Sequence, residues 1–211
     1  MQSRAFAPNL ADACDALIAL GGRLDARGLA AATSGNHSAR IDDGSILITR
    51  SGQHKGRMDM GSFMRIDADG HALDSGQPSA ETALHLMLYR HCDAGAVLHC
   101  HSPQAVGFSR VLAGETHVQF EGHEMLKAFP GITSHDVTLA LPLVDNSQNM
   151  ADIEAVIAPQ LGRPGMIPAF LIRSHGVYAW GADVAEAERV LEAVEWLIAA
   201  TLVERGNAIT R

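Results

Sequence analysis

The sequence predicts one α/β domain spanning residues 1–211. Segments with helical periodicity alternate along the chain with short apolar runs bounded by Gly, Asp, Asn and Ser. The length is enough for one domain with a substantial core. No internal repeat, low-complexity tract or linker divides it.

Leu10, Ala13, Cys14, Leu17, Ile18 and Leu24 recur at helical spacing, with Asp12, Asp15 and Arg23 between them. Residues 9–27 therefore read as an amphipathic helix with Asn9 as its N-cap. The polar segment 33–38 feeds a strand ending near Ile41, Asp42-Asp43-Gly44 makes a hairpin turn, and 45–49 is a second strand. Arg50 to Gly56 is a loop, and Phe63-Met64-Arg65-Ile66 a short strand. Ser79 then caps a helix over 80–89. The apolar run 95–101 is a strand, and Ser102-Pro103 opens a helix to about Leu112. A strand over 118–120 precedes a short helix carrying carboxylates near its start, over 121–127. Residues 137–144 form a strand closed by the cap-like Asp145-Asn146-Ser147, and Met150, Ile153, Val156 and Ile157 mark the helix that follows as far as Pro159 or Leu161. Strands over 169–172 and 177–180 meet at Arg173-Ser174-His175-Gly176, and a long helix from Asp183 to about Glu204 closes the chain.

With Asp+Glu 24 against Lys+Arg 16 the formal charge is −8, and the basic residues are scattered. That argues against nucleic acid as a partner and leaves any anionic ligand to local donors or a metal. The three cysteines have no C-x-x-C spacing and an odd count, as in a reducing compartment. The N-terminus lacks a signal-peptide hydrophobic region, and no apolar stretch approaches the ~20 residues of a membrane-spanning helix. The expectation is a cytoplasmic protein with no membrane association.

The chemistry centres on Val97-Leu98-His99-Cys100-His101. Alternation along a strand puts both imidazoles on one face and Cys100 on the other. Such a pair can grip a metal, although two polar residues where a strand runs out into a loop have the same spacing. His175, beside Gly176 where two apolar strands meet, is placed to join them. Three neutral histidines are the ligand set of catalytic zinc, with one position left open. That leaves the ion its full charge for polarising a carbonyl and holding an enolate. Glu81 and Glu124 are the candidate bases. Donors at Ser34-Gly35-Asn36, Ser51-Gly52 and Ser79 suit a sugar phosphate, although Ser-Gly pairs are also ordinary turns.

Five segments in order resemble the class II aldolase/adducin family across nearly the whole chain. They are Ser34-Gly35-Asn36, Ile48-Thr49-Arg50-Ser51-Gly52, Gln77-Pro78-Ser79-Ala80-Glu81 with His85 and Tyr89, His99-Cys100-His101-Ser102, and Ser174-His175-Gly176. Glu124-Met125-Leu126-Lys127, Asp145-Asn146-Ser147-Gln148 and the run from Phe170 to Gly176 look like a dehydratase branch of that family. The resemblance implies a three-layer α/β/α sandwich around a largely antiparallel sheet. It implies a homotetramer with sites near subunit interfaces, one zinc on His99, His101 and His175, and phosphate binding by the Ser34, Ser51 and Ser79 loops. In the family's aldolases the glutamate matching Glu81 is the acid/base. In the dehydratase branch the one matching Glu124 is, so Glu124 is the first candidate here and Glu81 the second. Ala80 stands where a second phosphate-binding serine is usual, and His54 where an acidic residue is expected. The alternatives are a sugar-phosphate aldolase or epimerase of the fuculose or ribulose phosphate type, and a non-catalytic adducin-like assembly module.

Overall fold

The computed structural model describes residues 7–209. Residues 1–6, on which the reading of a missing signal segment partly rests, lie outside the described residues, as do 210 and 211. The helices are α1 (Leu10–Ala26), α2 (Thr82–His91), α3 (Pro103–Val111), α4 (Met150–Ile157) and α5 (Val184–Ile209). The strands are β1 (Asn36–Arg40), β2 (Ile46–Thr49), β3 (Phe63–Ile66), β4 (Ala96–Cys100), β5 (His117–Glu121), β6 (Thr138–Val144), β7 (Ala169–Ile172) and β8 (Gly176–Gly181). They form one eight-stranded sheet in the order β3-β2-β1-β4-β8-β7-β6-β5. Among the described residues, β6/β7 is the only parallel pair of strands.

The side-chain period of two divides the sheet into two buried faces. Leu98, Cys100, Leu171, Val177 and Ala179 pack with Leu17 and Leu20 of α1, Phe108 of α3 and Leu191, Val194 and Leu197 of α5. Ile48, Met64, Val97, Phe170, Ile172 and Tyr178 face Leu84, Met87 and Leu88 of α2 and Ile153 and Ile157 of α4. The result is a three-layer α/β/α sandwich. Its central strands are covered on both faces, which is why their sequences are almost continuously apolar. Cys14 and Cys100 are buried, Cys92 is partly so, and all three are free thiols.

Four local expectations change. Ser79 does not cap α2. Its carbonyl accepts from Thr82 N (3.1 Å) and Thr82 Oγ1 (2.6 Å), making a turn that delays the helix to Thr82 and leaves Glu81 in the N-cap position. Asn149, not the 145–147 segment, caps α4, its Oδ1 accepting from Ala151 N at 3.3 Å. The 121–127 segment divides into the end of β5 and a 3-10 turn at Glu124–Ala128. α5 runs on past Glu204. Among the described residues no helix is long and apolar enough to cross a membrane.

Candidate active site

The ends of three central strands build the site. Register places Asn36 of β1 and Tyr178 of β8 on either side of His99 of β4. Two glycines permit the close approach. A Cβ on Gly35, whose φ is +76°, would stand 2.5 Å from His99 O, and one on Gly176 would stand 2.1 Å from Cys100 O. His175 lies in the turn between β7 and β8. Ser174, in the left-handed region at φ 59°, holds that turn, and its amide donates to Ser109 Oγ (2.9 Å). The neighbouring Arg173 guanidinium donates to Ser109 O (2.6 Å), Leu112 O (2.9 Å) and Glu115 O (2.8 Å), satisfying carbonyls at the end of α3.

Each of His99, His101 and His175 offers a ligand atom within 4.8 Å of the other two. His99 Nδ1–H donates to Val177 O (2.9 Å), which leaves the Nε2 lone pair facing inward, 2.9 Å from His101 Nε2. Burial pushes His99 well below the usual imidazole range and lowers His101 too. His99 stacks on Tyr178 with ring centroids 4.1 Å apart. An uncharged His99 with its outer nitrogen already bonded, beside two further imidazoles and a carboxylate, is a donor set that fits a divalent ion of the zinc type. A second cluster, Asp67, Asp69 and His71, is a surface turn closed on itself, Asp67 accepting from the amides of Asp69 and His71.

Glu81 completes the constellation, with Oε2 3.2 Å from His99 Nε2 and Oε1 3.1 Å from His175 Nε2. Burial opposes its ionisation, but the His175 hydrogen bond, the His99 neighbour and the Asn36 amide outweigh that and hold its carboxyl below the usual carboxylate range. Because His99 is itself buried and uncharged, most of that stabilisation comes from donors. Asn36 Nδ2 donates to Oε2 at 2.8 Å and the Tyr178 hydroxyl at 2.9 Å.

A buried chain of hydrogen bonds with one possible direction lies beneath the carboxylate. Because Asn36 Nδ2 is turned to Glu81, its Oδ1 must accept, so His85 Nε2–H donates to it (2.5 Å). His85 Nδ1 then accepts from Ser38 Oγ (2.7 Å), which accepts from the Tyr89 hydroxyl (2.8 Å). The chain needs His85 neutral, and burial lowers that imidazole to about 4.

The site opens on a cleft of about 460 Å³ lined by Gly35, Asn36, Ser51, Gly52, Ser79, Glu81, His101 and His175, with Arg50, Lys55 and Gln148 among the remaining walls. Nearly all the sequence-predicted residues therefore meet. Ser34 does not line the cleft, because its hydroxyl turns back to Ala31 O (2.7 Å). Glu124 does not either. It follows β5, four places from β4 in the sheet, with its side chain 68% exposed and paired with Lys127 and His135.

Sequence reading assigned no role to Tyr178, Arg173 or Lys55, and left His85 open. Signals existed for two of them. Glu81, His85 and Tyr89 recur every four residues, and Tyr178 lies two positions from Gly176, on the same strand face. Nothing local marked Arg173 or Lys55.

The family model described as Class II Aldolase and Adducin N-terminal domain matches residues 15–202. A protein of Gluconacetobacter diazotrophicus named methylthioribulose-1-phosphate dehydratase is 44% identical over 200 residues, 94% of this chain and 96% of that one. One of the same name from Methylococcus capsulatus is 44% identical over 182 residues, 86% and 88% of the two chains. Among solved structures, L-fuculose-1-phosphate aldolase from Thermus thermophilus superposes with a TM-score of 0.74 at 25% identity, covering 92% of this chain and 95% of that one.

Proposed function

We propose that this chain, which belongs to the class II aldolase and adducin family, removes water from 5-methylthioribulose 1-phosphate to give 2,3-diketo-5-methylthiopentyl 1-phosphate, a step of methionine salvage. The observation that carries the reading is the convergence of His99, His101, His175 and Glu81 at one end of a cleft whose other walls are the small polar loops at Gly35, Ser51 and Ser79. Relatives of matching length and about two-fifths identity that bear the dehydratase name point to the same reaction. The enzyme is a hydro-lyase, cytoplasmic, and a homotetramer.

His99, His101 and His175 would hold a zinc ion, which when bound would supply positive charge that polarises a carbonyl. The chain's own residues do the rest. Backbone amides and hydroxyls of the Ser51-Gly52 and Ser79 loops, with Gly35 and Asn36, hold the phosphate and so orient the sugar. A carboxylate removes the proton from the carbon next to the carbonyl. Hydroxide then departs from the following carbon with a proton delivered to it, and the resulting enol relaxes to the diketone. Water is the only fragment released.

Glu124 is the base in this reading. What supports it is the condition of Glu81: Oε2 already accepts from two donors and Oε1 faces His175, so its proton affinity is suppressed and it serves as a fixed negative charge against the histidines. Glu124 lies outside its own chain's cleft. It therefore acts from a neighbouring subunit, in keeping with an assembly whose sites form between subunits. The test is complementation. Glu124→Gln and His99→Ala should each lose turnover alone, and oligomers mixed from the two should regain part of it, because some sites then combine an intact metal triad with an intact Glu124. No recovery, or a fully active Glu124→Gln, overturns the assignment and passes the role to Glu81.

A second reading is favoured by the likeness to a fuculose-phosphate aldolase and by Glu81 at the histidines. Mass analysis of the product separates the two: loss of one water supports the dehydratase, and two smaller carbon fragments support the aldolase. The intact triad argues against a non-catalytic assembly module.

A further inference from the structure

Lys55 is buried where a charge is costly. It opens the 3-10 turn Lys55–Arg57, packed so closely on α1 that a Cβ on Gly21 would stand 2.3 Å from Lys55 O. Its residue is only 2% exposed, yet it forms part of the cleft wall. The ammonium donates to Thr33 O (2.8 Å) and Gln53 O (2.6 Å). Thr33 immediately precedes Ser34-Gly35, and Gln53 immediately follows Ser51-Gly52. One side chain thus ties together the two loops that form the anion-binding wall.

Two features set this lysine apart from a structural staple. An ammonium has three N–H donors and the two carbonyls occupy two of them, which leaves one for a ligand. Among the described residues no carboxylate is ion-paired with it, and burial pushes the ammonium down to about 8. A buried cation bonded to carbonyl dipoles and paired with no carboxylate lacks a counter-charge, a condition proteins rarely retain without use. In a chain with a formal charge of −8, an anion entering the cleft needs such a local cation.

We propose that Lys55 is a direct ligand of the substrate phosphate, donating its third N–H to a phosphate oxygen while its other two hold the Thr33 and Gln53 loops in binding position. Lys55 therefore makes the cleft selective for phosphorylated over unphosphorylated sugars. The inference rests on the sugar-phosphate reading of the same cleft and adds to it the residue that recognises charge. Arg50 also borders the cleft, with its Nε donating to Phe63 O (2.7 Å) and its Nη1 to Ser75 O, whereas Lys55 is the buried cation bonded to both the Thr33 and the Gln53 loops.

The experiment measures binding of inorganic phosphate, and separately of unphosphorylated ribulose, to the zinc-loaded enzyme by calorimetry. Wild type is compared with Lys55→Met and Lys55→Arg. A charge-assisted hydrogen bond lost from a buried site predicts phosphate binding weakened about tenfold to hundredfold in Lys55→Met, partial rescue in Lys55→Arg, and ribulose binding unchanged. Equal weakening for phosphate and ribulose would make Lys55 a loop staple only, and unaltered phosphate binding would remove it from recognition; either overturns the proposal. Failure of wild type to bind phosphate would overturn the sugar-phosphate reading and this inference with it, an outcome distinct from failure of Lys55 alone. If Lys55→Met does not fold, the Lys55 Nζ resonance of 15N-lysine-labelled wild type decides. It should shift on adding phosphate and stay in place on adding ribulose, and a resonance indifferent to phosphate overturns the proposal.

Discussion

Replacing His37 by leucine should make the protein less sensitive to acid. His37 is fully buried on β1, its amide donates to Thr49 Oγ1 (3.2 Å), and neither ring nitrogen has a hydrogen-bond partner among the described residues. Burial first, then the charge of Lys55 and the nearby His85, lowers its imidazole from 6.5 to about 3. The unfolded chain therefore takes up a proton below about 6.5 that the folded chain refuses until about 3. Stability from this group is whole above 6.5 and is lost as pH falls through that window. At about 1.4 kcal/mol per pH unit for one proton, lowering pH from 6.5 to about 5 removes roughly 2 kcal/mol through His37. His85, lowered by burial to about 4, removes a similar amount over the same interval. Leucine deletes the His37 contribution and replaces an unpartnered polar ring by an apolar side chain in an apolar layer. Urea unfolding at about pH 7.5 and about pH 5, on wild type and His37→Leu under identical metal loading, isolates the effect, since contributions from the other histidines cancel in the difference. The variant should lose about 2 kcal/mol less than wild type between the two pH values. An equal loss in both proteins would mean that His37 is not a neutral buried group, and the reasoning would fail.

Three other perturbations probe the site. Tyr178→Phe keeps the rings stacked on His99 and Phe170 but removes a donor from Glu81. Turnover should fall about tenfold with zinc content intact, whereas wild-type rates would show that the hydroxyl is idle. His85→Leu strands Asn36 Oδ1 in a buried setting and leaves Ser38 Oγ with Tyr89 as its partner. Thermal unfolding should register about 1–3 kcal/mol of destabilisation for the stranded atom, and an unshifted melting temperature would deny the directed chain. Arg173→Met uncovers carbonyls at the end of α3 and loosens the turn that carries His175. Faster amide exchange in α3 and weaker zinc affinity should appear together; loss of one without the other would uncouple the cap from the metal ligand.

Much of this protein is decided within short stretches of chain. The apolar spacing of Leu17 and Leu20, the cap at Asn9 and the alternation of Val97-Leu98-His99-Cys100 are local patterns. They yield α1, β4 and the divergence of His99 from Cys100 without reference to anything distant. The motif glycines are legible for the same reason, since Gly35 and Gly176 are required by close backbone approach. The family resemblance carried by those motifs extends that local reading to the three-layer architecture. Other features depend on partners far away in sequence. That Ser34 turns back to Ala31 while Ser51 and Ser79 line the cleft depends on how loops settle against β4. The turn at Ser79 O places Glu81 in the N-cap position, and its lone pairs are then taken by Asn36 and Tyr178, 45 and 97 residues away. Lys55 becomes a buried cation only when the carbonyls of Thr33 and Gln53 close around it. Glu124 sits at the far edge of the sheet, where no pattern in its own segment says which surface it will meet. Periodicity, capping and turn chemistry act over a few residues, so the sequence by itself determined the elements and marked the three histidines that converge. Burial, desolvation and hydrogen-bond direction are properties of an enclosed volume, so protonation states and the placing of Glu81 at the histidines and Glu124 away from them were decided only when the chain closed on itself.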